Sequence, residues 1–135
     1  MKKSIFAASV LVGLWSAIPA CAEIVLIANV NNPATRMFSE QAAQFFLGKS
    51  NQFTPIDQAK DSAIRVEFYE KVTNKSLAQV GAIWSKIAFS GKGEPPKEMR
   101  NDAEVKKAVA ADPSAIGYIN KSALDATVKV LLTLQ

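Results

Sequence analysis

Ile24-Val25-Leu26-Ile27 is an unbroken run of branched apolar side chains. A strand with one wet face alternates apolar and polar residues, so a continuous run reads as a strand buried inside a layered domain. Asn29, Asn31, Asn32 and Pro33 end it in a polar loop. These asparagines stand at the strand edge where open α/β sheets bind ligands, but a solvated turn is the preferred reading.

The rest of the chain alternates helical and extended patterns. Ser39 is placed to cap a helix over residues 40–47, with Ala42, Phe45 and Phe46 inward and Gly48 ending it in a left-handed conformation. Thr54-Pro55-Ile56-Asp57 is a short strand or extended turn. Asp61 or Ser62 caps the next helix, in which Ile64, Phe68 and Val72 recur at a spacing of four. Ser76 and Gln79 have capping-box spacing ahead of the apolar stripe Leu77, Val80, Ile83, Trp84 and Ile87. On that stripe Trp84 reads as core.

A Gly/Pro-rich loop over 91–96 follows, in which Lys92 between two glycines reads as a surface turn. Asn101 and Glu104 open another helix, with Val105, Ala108 and Val109 inward and Asp112-Pro113 ending it. Lys106 and Lys107 belong to its solvated face. Residues 115–119 and 128–132 read as strands, joined by a short segment around Ser122. Helices packed on a small sheet, in two or three layers, are the expected architecture.

The N-terminus carries a different signal. Lys2 and Lys3 precede an apolar run from Ile5 to Ala17, Pro19 breaks it, and Ala20-Cys21-Ala22 supplies small residues for cleavage after Ala22. Residues 1–22 are therefore expected to be a signal peptide, and residues 23–135 a single exported periplasmic domain. Lipidation at Cys21, the chain's one cysteine, is the lesser alternative. No later apolar run reaches the length of a membrane-crossing helix.

Composition narrows the chemistry. Removing Lys2 and Lys3 leaves 14 basic against 12 acidic residues, too mild a balance to argue for nucleic acid. There is no histidine, which removes Ser-His and Cys-His nucleophile pairs and imidazole metal ligands. No nucleophile elbow, P-loop or dinucleotide fingerprint occurs, and no carboxylates cluster at metal-loop spacing. The expectation is a non-enzyme with no catalytic residue, metal or cofactor.

Several blocks, in order, resemble phosphate ABC transporter substrate-binding proteins. They are Ser39 onward to Phe46-Leu47-Gly48-Lys49, Phe68-Tyr69-Glu70-Lys71-Val72, Trp84-Ser85-Lys86, Phe89-Ser90-Gly91-Lys92-Gly93, and Pro113 to Ile119. In that family two α/β lobes close over an oxyanion. The resemblance implies a single lobe, the second, of a type II periplasmic-binding-protein-like fold, with helices on a small mixed sheet.

It also implies a site. The family carries an arginine a few residues ahead of Ser-Gly-Thr at a helix N-terminus, where free N–H groups hold the anion. The matching stretch is Gln58-Ala59-Lys60-Asp61-Ser62-Ala63-Ile64-Arg65. Gln58 replaces the arginine, Ala63 the glycine and Ile64 the threonine, while Ser62 is kept. Lys60, Ser62, Ala63, Ile64 and Arg65 are thus the candidate oxyanion ligands of a degenerate site.

Asp61 as a repelling carboxylate, and Ile64 as the first core residue, support plain helix capping instead. A hydrolase using Ser62 lacks a general base. The expected partners are phosphate or another oxyanion held weakly, and an envelope protein or a second copy of the chain. The competing function is a periplasmic interaction or regulatory module that has lost its ligand.

Overall fold

A computed structural model describes residues 23–135; the expected signal peptide, including Cys21, lies outside the described residues. The elements run β1 (Ile24–Asn29), α1 (Ser39–Phe46), β2 (Thr54–Asp57), α2 (Ala63–Thr73), α3 (Leu77–Phe89), β3 (Lys97–Glu98), α4 (Asp102–Ala111), β4 (Ala115–Asn120) and β5 (Val128–Leu134), with a 3-10 turn at Lys121–Ala123. The five strands form one mixed sheet in the order β3-β2-β4-β1-β5. β2 runs parallel to β3 and β4, whereas β1 runs antiparallel to both of its neighbours.

β1 is buried along its whole length because each face of the sheet carries its own core. Ile24, Leu26 and Ala28 point to one face, with Ile116 and Tyr118, and meet Phe46, Phe68, Tyr69 and Trp84 from α1, α2 and α3. Val25 and Ile27 point to the other, with Ile56 and Ile119, and meet Val105 and Val109 of α4. Of the two- and three-layer readings, the structure realises three layers.

Gly117 lets α4 lie close on the sheet. A Cβ there would stand 2.8 Å from Val105 Cγ1 and 3.2 Å from Val109 Cγ2. Gly117→Val is expected to overpack this layer and cost about 1–3 kcal/mol, read as a lower urea midpoint with an unchanged slope.

The caps follow the sequence with one exception. Ser62 Oγ accepts from Arg65 N at 3.4 Å, Asn101 Oδ1 accepts from Glu104 N at 2.9 Å, and Ser76 and Gln79 form their reciprocal pair. The exception is Ser39, which is already helical. The cap position belongs to Phe38, whose N–H donates to Gln41 Oε1 at 2.9 Å. Gly48 ends the α1 segment at φ +73, as expected.

The asparagine loop corrects a second expectation. Because β1 is antiparallel to β4, its C-terminus lies at the end of the sheet opposite the C-termini of β2 and β4. Asn29 is buried there, and its Nδ2 donates to Val109 O at 3.0 Å and Ala110 O at 2.9 Å. It adds a second donor to Val109 O, which also accepts from Asp112 N, and supplies one to Ala110 O in the last turn of α4. Asn29 is a structural clamp, neither a solvated turn residue nor one at the ligand-facing edge.

Candidate functional site

The C-terminal ends of β2 and β4 and the N-termini of α2 and α4 converge at one end of the sheet. Ligands of open α/β folds bind at such ends, where strand ends leave a crevice and helix N-termini present free N–H groups. The candidate stretch from Gln58 to Arg65 forms the turn that leaves β2 and the first residues of α2.

Asp57 closes β2 and is 1% exposed. Its carboxylate accepts from Tyr69 Oη at 2.7 Å, from the Tyr118 hydroxyl, and from Gln58 N at 3.0 Å. Arg65 Nε stands 3.6 Å from Asp57 Oδ1 without a hydrogen bond of its own. Burial pushes the Asp57 carboxyl above its ordinary range, while the two hydroxyls, Arg65 and the Gln58 amide pull it part of the way back. Both tyrosine hydroxyls are driven up as well, first by burial and then by Asp57. They therefore stay protonated at physiological pH and donate to Asp57.

The aromatic core holds this arrangement in place. Phe68 lies flat on the Tyr118 ring at 3.8 Å between centroids and 3° between planes. Phe46 meets both rings edge-on. Two buried tyrosines need polar ends with partners, and Asp57 supplies one partner for both.

Gln58, at the position matching the family's arginine, is 2% exposed and turned inward. Its Nε2 donates to Asp102 Oδ1 at 2.7 Å and to Tyr118 O at 2.9 Å. Asp102, the first residue of α4, also accepts from Asn120 Nδ2 at 3.0 Å. This buried amide and half-buried carboxylate stitch β2, β4 and α4 together.

The other candidates divide. Ser62 Oγ is engaged in its cap. Ala63 is exposed and Ile64 is half-buried against the aromatic core. Lys60 is exposed in the turn, next to Asp61, which adopts a left-handed φ of 67. Arg65 turns away from the helix tip. Its Nη1 donates to Gln58 O at 3.1 Å and to Glu98 Oε1 on β3 at 2.8 Å. The structure therefore brings Ser62, Ala63 and Ile64 together at the tip of α2, and engages Arg65 with Glu98 and Asp57.

Sequence reading missed Asp57, Tyr69, Tyr118, Glu98 and Asp102 as members of this site. One signal was available: the chain has two tyrosines, each in an apolar block that is bound to bury it and so demand a hydroxyl partner.

No protein-family model matches the chain, and no curated protein does. Solved structures do. An ABC-type phosphate transport receptor from Vibrio cholerae superposes with a TM-score of 0.63 at 17% identity, covering 82% of this chain and 46% of the receptor. A putative phosphate ABC transporter substrate-binding protein with bound phosphate from Clostridium perfringens gives 0.65 at 21%, with 82% and 45% covered. PstS from Borrelia burgdorferi gives 0.60 at 15%, with 82% and 47%. The chain spans about half the length of these proteins. Over 82% of its own length it has the fold found in about half of a phosphate-transporter substrate-binding protein.

Proposed function

We propose that the chain is an exported, non-enzymatic, one-lobe relative of phosphate receptors, acting in the periplasm with a degenerate oxyanion site. The observation that carries this reading is the fate of the two groups best able to grip an anion. The arginine position is a buried glutamine tied to Asp102, and the nearby guanidinium of Arg65 is already paired with Glu98 and Asp57. What remains is the tip of α2 with Lys60 beside it, set against the Asp61 carboxylate. An anion held there would keep one side in water, where charge-assisted contacts are weak.

A second reading is favoured by the half-length match to the receptors. In this reading an envelope protein or a second copy of the chain would face the end of the sheet at Ser62. Sedimentation across a concentration series tests self-pairing.

Calorimetry with phosphate and sulfate tests the leading reading. No saturable heat is expected at micromolar protein and ligand. Micromolar binding by the monomer would overturn it.

A further inference from the structure

Glu98 stands on β3, the two-residue strand at the edge of the sheet, paired in register with Asp57. Its side chain is 47% exposed, while that of Arg65 is 17% exposed. Arg65 is thereby divided between two carboxylates. Its inner side faces Asp57 at 3.6 Å from Nε and the Gln58 carbonyl at 3.1 Å from Nη1. Its outer side meets Glu98 Oε1 at 2.8 Å. A carboxylate oxygen at that distance from a guanidinium nitrogen takes the place that an oxygen of phosphate or sulfate would take.

We propose that Glu98 is a tethered pseudo-ligand: it occupies the outer side of Arg65 and competes there with oxyanions. The inference rests on the reading of the α2 end as a degenerate oxyanion site and names what keeps that site closed. Asp57 does not need Arg65 to be satisfied, because two tyrosine hydroxyls and the Gln58 amide already serve it. Once Glu98 leaves, Nη1 keeps its bond to Gln58 O and regains one donor position for an outside anion.

Glu98 leaves cheaply. It is half-exposed, and ion pairs open to solvent are weak and screened by salt. What keeps it in place is the tether, which gives the carboxylate an effective concentration on the order of millimolar. Free anion below that level loses the competition. β3 itself stays put when Glu98 swings out, since Met99 N donates to Asp57 O at 2.9 Å and the Ile56–Lys97 register pair remains.

Phosphate titration of the protein, followed by NMR at the Arg65 Nε–Hε group and the Ser62–Arg65 amides, tests this on wild type and Glu98→Gln. The substitution keeps the side-chain shape at an exposed position. Glu98→Gln is expected to bind phosphate about fivefold more tightly, the upper range for a half-exposed ion pair, with the Arg65 Nε–Hε signal moving as it binds. Glu98→Ala is expected to do the same.

Equal dissociation constants in wild type and both variants would overturn the proposal, as would no response in any of them up to the solubility limit of phosphate. Tighter binding that leaves Arg65 Nε–Hε unmoved also overturns it, since that reports only the loss of one negative charge. Micromolar binding by wild type would sink the degenerate-site reading, while the ratio of variant to wild type would still decide the role of Glu98.

Discussion

Asp57→Ala is expected to destabilise the domain by about 3–5 kcal/mol, the range for removing one partner of a buried charged pair. The substitution leaves Tyr69 and Tyr118 with buried hydroxyls that have lost their acceptor, and Arg65 Nε with no carboxylate on its inner side. Each unpaired buried group carries its own desolvation cost. Chemical unfolding of wild type and variant measures the gap. A loss below about 1 kcal/mol, the scale of an ordinary surface substitution or less, would show that the network is not buried as described.

The same variant has a pH signature. The folded carboxyl is raised above its ordinary value of 3.8, with burial as the main cause. The native state therefore binds a proton more readily than the unfolded chain. Stability contributed by Asp57 is fully present below 3.8 and is lost as pH rises through the higher folded value. The gap between wild type and Asp57→Ala should be widest in acid and narrow toward neutrality. Because both proteins share every other titrating group, the difference isolates Asp57. A gap that widens with rising pH would mean that its neighbours pull the folded carboxyl below 3.8 instead.

Phe68→Ala is the second large effect, expected at about 3–5 kcal/mol, the usual range for removing a buried phenyl ring. Phe68 is fully buried, stacked on Tyr118 and edge-on to Phe46 and Tyr69. Its loss opens a cavity at the centre of the larger core and frees the Tyr118 ring to tilt. Because the Tyr118 hydroxyl donates to Asp57 and holds its carboxyl down, loosening that ring should raise the folded value further and enlarge the acid-side advantage of that carboxyl. Thermal unfolding measures the first consequence and the pH series the second. A fall in Tm of only a few degrees would contradict this packing.

What the sequence revealed, and what it hid, follow from the range of each interaction. Ile24–Ile27 could be read as a buried strand because both-face burial leaves a local trace in residue type. Ser62, Ser76 and Asn101 could be read as caps because the acceptor and its N–H lie within three residues. Asp57 could not be recognised as a hub. Its hydroxyl donors are 12 and 61 residues away, and only the fold brings them together.

Strand direction was hidden for the same reason. Nothing in residues 24–29 says that β1 runs against β4, and that one fact moves Asn29 to the far end of the sheet, under the last carbonyls of α4. β3 was missed because two exposed residues carry no periodicity; the strand exists only because β2 offers it a ladder. The cap of α1 shifted from Ser39 to Phe38 because Gln41 reaches back to the Phe38 N–H, a contact available without any polar side chain at the cap itself.

The candidate site shows the same division. The resemblance to phosphate receptors placed Ser62, Ala63 and Ile64 at a helix tip, and the structure has them there. It could not show where Gln58 and Arg65 would point, because that depends on Asp102 and Glu98, which belong to other elements.

Equilibrium dialysis of the protein against radiolabelled phosphate at micromolar concentration tests the central claim most directly. With Gln58 sealed inside and Arg65 held by Glu98, the protein compartment should retain no more phosphate than the buffer side. Stoichiometric retention by the monomer would contradict the account.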